Sequence, residues 1–270
     1  MKKDMLFCVD SDGCVFDAMT PKHRAAFGPA LVEVYGLEHI RTHVLAVWDR
    51  INLTDATRGI NRFLGLAYFF ARMQEQGFSL PDTAHFCAWA NSTPVLGEAA
   101  LSKAISQADG AEREQLTRAL QWSERVNDIC KTLTIRPFAG VERTLALIHG
   151  FADIAVVSSA NEGALKREWG EYGLEKYVNF MGHQGMGSKA DMLRIVLNRG
   201  YSPQKCVMCG DALSDLAAAK EVGAQFYPIL PFDEVYSWNI LRTVVAEQVK
   251  NGAYHEGEYV AEFRRRLNAN

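Results

Sequence analysis

The sequence is short of most of the features that would announce a specialised function, and each shortage closes off a class. It has no surplus of positive charge: 29 Lys and Arg stand against 32 Asp and Glu, a net charge of -3. No broad basic face is therefore available to nucleic acid. No apolar run is long enough to span a bilayer. The start, Met1-Lys2-Lys3-Asp4, is followed by only five apolar residues before Asp10, too few for a secretory leader. There is no disulfide framework either. Six cysteines (8, 14, 87, 130, 206 and 209) lie scattered in apolar contexts, which fits a reducing, cytoplasmic setting. Cys206 and Cys209 form a lone C-x-x-C without a second Cys or His pair at zinc spacing, so both read as buried strand residues. No G-x-G-x-x-G follows the first apolar run, which disfavours a dinucleotide fold. What remains is a 270-residue chain, 48% hydrophobic, with apolar mass for one core and a sizeable insertion.

One stretch stands out: Met5-Leu6-Phe7-Cys8-Val9-Asp10-Ser11-Asp12-Gly13. Its apolar run is too short for a helix and reads as a buried strand. Alternation along an extended backbone puts Asp10 and Asp12 on one side and Ser11 on the other. Two carboxylates side by side at the mouth of a core strand repel each other. Such a pair serves a cation, a shared proton or a reaction, unless Asp and Gly simply end the strand. Gly13 permits a sharp turn and a close approach to a ligand. Cys14 is a small apolar filler, or a thiol whose oxidation would inhibit.

From Pro21 to about Thr134 the pattern is helical. Helices are expected from Thr20-Pro21 to Gly36, from Leu53-Thr54-Asp55 through Gly77, from Leu80-Pro81-Asp82 to about Asn91, and over 111–131. After Arg136-Pro137 the style changes. Helix 141–149 precedes a strand at 152–157 that ends in Ser158-Ser159. A helix and a short strand at 177–181 follow, then a helix opened by Lys189. A strand at 205–209 runs into Gly210-Asp211, followed by helix 215–222 and strand 224–229. This alternation predicts an α/β fold, a Rossmann-like parallel sheet with helices on both faces, plus an inserted all-helical domain. Ligands of such sheets sit outside the carboxyl ends of the strands. Those ends carry Asp10, Asp12, Ser158 and Asp211, with Asp215 four residues further on. Converging carboxylates are tolerable around a hard cation, and oxygen-only ligands favour magnesium. With Ser158 to donate to an anionic oxygen and Lys189 to neutralise charge, the set suits phosphoryl transfer.

Four segments, in this order, resemble the motifs of the haloacid dehalogenase superfamily. They are Asp10-Ser11-Asp12-Gly13 with Asp17, Val156-Val157-Ser158, Gly187-Ser188-Lys189-Ala190, and Gly210-Asp211-Ala212-Leu213-Ser214-Asp215. The resemblance covers about 1–18 and 138–230. It implies a catalytic core over 1–18 and 138–232, a helical cap over 19–137 and a C-terminal helical extension over 233–270. It further implies a phosphatase in which Asp10 attacks phosphorus to form an aspartyl phosphate. Asp12 would protonate the leaving group and then activate water. Mg2+ would be held by a side-chain oxygen of Asp10, the backbone carbonyl of Asp12, and Asp211, with Asp215 and Gly13 in support. Ser158, Ser159 and Lys189 would bind the phosphoryl group, and Asp17 would fix the turn out of the core. Dehalogenases and phosphonoacetaldehyde hydrolases of the superfamily lack an acid at the place of Asp12. Its presence favours a phosphatase, with a phosphosugar mutase or a non-catalytic binding protein as alternatives. Cys14 stands where the family most often has Thr. A receiver-like domain, which also has an acidic pair after its first strand, is disfavoured by the large helical insertion.

Within the cap, Arg58 and Arg62 are four apart and are read as sharing a helical face. There they pair with surface acids or contact an anionic or hydroxylated substrate. Lys22 and His23, just past the hinge, meet solvent or face the site. The short interval between Ser158 and Lys189 leaves no room for a second lid, which points to a small phosphorylated metabolite as partner, without nucleic acid or membrane. In the extension, Trp238, Ile240, Leu241, Val244 and Val245 predict an amphipathic helix. Trp238 belongs in the core or, with Glu234, at the entrance.

Overall fold

The computed structural model describes residues 2–268. Strands β1 (Met5–Val9), β2 (Ala152–Val157), β3 (Phe180–Gly182), β4 (Cys206–Gly210) and β5 (Gln225–Pro228) form one parallel sheet in the order β3-β2-β1-β4-β5. The central place of β1 follows from its composition. Parallel strands are covered by helices on both sides, so their sequences are apolar throughout rather than alternating. Every residue of β2 and of β4 is buried. The chain reverses its direction of travel across the sheet at β1, and the crevice at that switch point is where such sheets hold ligands.

One sheet face, formed by Leu6, Cys8, Ala155, Val157, Cys206 and Met208, packs against helices Lys189–Leu197, Leu213–Val222 and Gly257–Arg266. The other face meets helix Val141–Phe151, where the rings of Phe7 and Phe151 lie edge to face at 6.0 Å. Each fully buried Leu or Phe in these layers contributes about 1.5–3 kcal/mol of transfer free energy.

The chain divides into two compact units, one made of the residues up to Ala18 together with those from Ile135 onward, the other of Met19–Thr134. The second unit is helical throughout. Its first helix, 19–35, ends at left-handed Gly36, as expected, and has a widened π turn at His23–Phe27. Its core is aromatic: Trp48 meets Trp122 at 5.7 Å and stacks on Phe27 at 6.1 Å. Helix Glu98–Gln107, which buries Leu101 in this core, has no counterpart among the expected elements.

Two boundaries differ from expectation. The segment expected to be helical from Leu53 to Gly77 is broken. Helix Arg41–Asp49 continues through a π turn to Thr54, residues 55–61 turn, and a new helix runs over Arg62–Glu75. Gly59 takes a left-handed φ of 73°, and Asn61 caps the new helix by accepting from Phe63 N at 2.9 Å. Arg58 therefore sits in the turn and Arg62 opens the helix, so the two do not share a helical face. The strand expected at 177–181 begins only at Phe180, because Leu174–Tyr177 form a 3-10 turn. Among the described residues, no helix is long and apolar enough to cross a membrane.

Candidate active site

The loop after β1 is built by its own backbone. Asp10 N donates to Cys209 O at 2.9 Å, carrying the β1–β4 pairing one residue past the strand. Val15 N and Phe16 N both donate to Ser11 O, and Gly13 N donates to Phe16 O. The turn this requires is supplied by Gly13 at φ 78°. Asp10 and Ser11, adjacent in the chain, take different partners. The Asp10 carboxylate is buried and accepts from Ser11 N at 2.7 Å, while Ser11 points the other way and accepts from Trp169 Nε1 at 3.1 Å. Asp12 is half-buried. At Asp17 the backbone fixes the turn: its amide donates to Arg136 O at 2.9 Å, and the side chain is exposed.

Lys189 enters from the first turn of its helix. Ser188 caps that helix in a reciprocal box with Asp191, which fixes where the first turn begins. The buried ammonium donates to Asp10 Oδ2 at 2.7 Å and to Asp215 Oδ1 at 2.5 Å. Asp215 Oδ2 accepts from Ala212 N at 3.0 Å, so this carboxylate also holds the turn after β4. The carboxylate lies flat against Gly210, where a Cβ would come within 2.3 Å of Asp215 Cγ. Only glycine leaves room for it there.

Carboxylate oxygens of Asp10, Asp211 and Asp215 all lie within 4.8 Å of one another. The Lys189 ammonium and the buried acids around it act on one another's titration. Burial pushes the Asp215 carboxyl up, the charges of Asp10 and Asp211 add to this, and Lys189 opposes it. Burial would strip the Lys189 proton, but Asp10 and Asp215 outweigh it and hold the ammonium above the ordinary lysine range. Three buried carboxylates that offer hard oxygen donors at one point fit magnesium. The side chain of Asp12 is not part of this carboxylate group.

Ser158 is buried at the end of β2, beside β1, and its Oγ accepts from Ala160 N at 3.2 Å. The hydroxyl hydrogen remains available to donate. Ser159 is exposed. Cys14 is fully buried, and burial, followed by the charge of Asp10, pushes its thiol up, which suits a filler better than a reactive group. Cys206 and Cys209 are likewise buried on β4, and Cys206 Sγ lies 3.8 Å from Cys8 Sγ.

In the helical unit, Lys22, His23 and Arg58 are buried rather than solvated. Arg58 Nη1 donates to Leu53 O at 3.0 Å. Arg62 Nη1 donates to Ser123 Oγ and Asn127 Oδ1, and Glu98 lies 3.8 Å away. His23 Nδ1 accepts from Trp48 Nε1 at 3.0 Å, which puts the ring proton on Nε2. Burial lowers the His23 pKa to about 3, and the charges of Arg58, Arg62 and Lys22 add to the shift. This imidazole is neutral at every physiological pH. Trp169 and Trp238 were not legible as loop partners, since they lie 158 and 224 residues from the groups they bind.

No protein of curated function matches the chain in sequence. Among solved structures, the chain is similar to a Lactobacillus delbrueckii subsp. bulgaricus protein named for a supposed phosphoglycolate phosphatase activity. The two share 17% identity over 95% of this chain and 100% of that one, with a TM-score of 0.54. A hydrolase from Pseudomonas syringae is similar at 14% identity over 89% and 91% of the two chains, with a TM-score of 0.52. At such identities the likeness is one of fold. The family model described as haloacid dehalogenase-like hydrolase matches residues 5–223, from β1 to the end of the helix after β4, and the chain belongs to that family of hydrolases.

Proposed function

We propose that the protein is a magnesium-dependent phosphatase that hydrolyses a small phosphomonoester through an aspartyl phosphate. The observation that carries this reading is the meeting of Asp10, Asp211, Asp215 and Lys189 in one buried group. A side-chain oxygen of Asp10, the carbonyl of Asp12, and Asp211 would hold the ion, with Asp215 and Gly13 in support. Bound there, the ion supplies positive charge that shields the phosphoryl oxygens from the attacking carboxylate.

In the first step a carboxylate oxygen of Asp10 bonds to phosphorus as the bond to the leaving oxygen breaks. Asp12, as the acid, gives that oxygen its proton. In the second, Asp12 takes a proton from water, the water oxygen bonds to phosphorus, and the bond to Asp10 breaks. Lys189 and the hydroxyl groups of Ser158 and Ser159 bind phosphoryl oxygens throughout. The chain's core (1–18 and 138–232) would do this chemistry, with 19–137 as a helical cap domain and 233–270 as an extension packed on the body. Lys22, Arg58 and Arg62, with the Nε2–H of His23, suit an anionic or hydroxylated part of the substrate. A cytoplasmic setting agrees with Cys8, Cys14, Cys206 and Cys209 being buried thiols outside any disulfide.

The test is phosphate release from an aryl phosphate by purified protein, with and without Mg2+, followed by a panel of phosphorylated metabolites. Turnover that depends on the metal supports the proposal. No turnover across the panel overturns it in favour of a non-catalytic binding role.

A further inference from the structure

Two fully buried tryptophans hold the loop that carries Asp10 and Asp12, and one of them lies beyond the family-matched residues 5–223. Trp169, on helix Glu162–Glu171, donates to Ser11 Oγ. Trp238, on helix Glu234–Ile240, donates its indole N–H to the Cys14 carbonyl at 2.7 Å. One clasp is on the residue between the two aspartates, the other two residues past the second. The helix that carries Trp238 is itself tied down. Tyr227 OH donates to Ser237 O at 2.7 Å, and Ser237 Oγ accepts from Leu230 N at 2.9 Å.

We propose that Trp238 is a positioning residue for the nucleophile loop, which makes the C-terminal extension a working part of this chain's active site. The inference rests on the phosphatase reading of Asp10 and Asp12. Its physical basis is the Cys14 carbonyl. Buried and deprived of the indole N–H, it must find another donor, and the loop shifts to reach one. A nucleophile displaced by about 1 Å loses up to roughly a hundredfold in rate. Trp238 reaches substrate only through the loop, so the loss falls on kcat and not on KM.

The decisive variant replaces Trp238 by 3-benzothienylalanine, which keeps the ring's shape and puts sulfur where the N–H was. Trp238→Phe accompanies it. Tyr227→Phe serves as control, since it removes one tie on the extension helix, keeps the Leu230–Ser237 tie and leaves the indole N–H on the Cys14 carbonyl. For the benzothienyl protein kcat on an aryl phosphate is expected to fall about 10–100-fold with KM within about twofold. Hydrogen exchange at the Val15 and Phe16 amides is expected to accelerate. Tyr227→Phe should lower the melting temperature and keep kcat. A benzothienyl protein with wild-type kcat overturns the inference, whether or not it is less stable. If the wild type turns over no phosphomonoester, the phosphatase reading fails first. Unchanged exchange at Val15 and Phe16 then overturns the hold of Trp238 on the loop independently.

Discussion

The ammonium of Lys189 donates to the carboxylate of Asp10 at 2.7 Å across 179 residues of chain, and both side chains are more than nine-tenths buried. Holding these charges out of water is costly, and their attraction repays it only because Asp215 and backbone amides complete the set. The arrangement orients Asp10 before any ligand arrives, which would remove part of the entropy cost of the proposed attack.

Removing the cation should expose that cost. Lys189→Met leaves Asp10, Asp211 and Asp215 together without their ammonium, and in chelator the variant should lose about 3–5 kcal/mol of stability near pH 8. Lys189 opposes the upward push on the Asp215 carboxyl, so its loss raises that carboxyl further in the variant than in the wild type. The folded state binds a proton that the unfolded state has released, so stability rises as pH falls from the raised folded pKa toward the ordinary carboxylate range. Urea melts at pH 8 and pH 5.5 should therefore show the deficit narrowing on acidification. A deficit independent of pH would mean that lost packing, and not stranded charge, is the cause.

Magnesium should act in the opposite direction. Neutralising the carboxylate group favours the folded state, and an ion present at a hundred times its Kd adds about 2.7 kcal/mol. The melting temperature should climb with Mg2+ in the wild type and stay flat in Asp211→Asn. A climb of equal size in both would place the ion elsewhere.

Asp10→Asn should remove at least about 10³ of the turnover on an aryl phosphate while the circular dichroism stays native. Asp12→Asn should cost about 10²–10⁴. With a good leaving group it should let a phosphorylated protein accumulate, visible in the intact mass. Substantial turnover in Asp10→Asn removes that residue as the nucleophile.

The core of this site was legible because the chemistry falls at strand ends, and strand ends are marked by where apolar runs stop. Asp10, Ser158, Asp211 and the helix opened by Lys189 could be placed in this way before any coordinates. The link from Lys189 to Asp215 could not, since it depends on how two helices meet over one sheet face. Arg58 and Arg62 show a different limit. Their spacing fits a helix, and a single left-handed glycine between them overrules it. Trp238 has the spacing of a core residue and is one, yet nothing local marks its N–H as the donor to a carbonyl 224 residues away.

Gly210→Ala tests the space that Asp215 occupies. The added methyl would lie 2.3–2.5 Å from three atoms of the Asp215 side chain. Either the strand or the carboxylate has to move, at about 1–3 kcal/mol. The carboxylate gives more easily than a central strand, so the variant should fold, lose most of its response to Mg2+ and release Lys189 from Asp215. Chemical denaturation and the magnesium melt together check this. A stable variant with a full metal response would mean that Asp215 contributes nothing to the ion's site.

His23 supplies the last test, one within the helical unit. Its pKa is lowered from 6.5 to about 3, chiefly by burial and then by Arg58, Arg62 and Lys22. In the unfolded chain it titrates near 6.5, so between that value and about 3 the unfolded state binds the extra proton. Stability is then fully present above pH 6.5 and falls with acidification, by about 1.4 kcal/mol for each pH unit. At pH 5 this amounts to about 2 kcal/mol relative to a variant with no titrating group there. His23→Gln keeps an acceptor for Trp48 Nε1, which now donates to the imidazole at 3.0 Å, and removes the titration. The two proteins should differ little in slope above pH 7 and diverge below it, the wild type losing ground, when unfolding is followed by the fluorescence of the buried tryptophans. Parallel stability curves from pH 7 to 5 would show that His23 is protonated in the folded protein, and with it that the surrounding lysine and arginines exert no net repulsion on it.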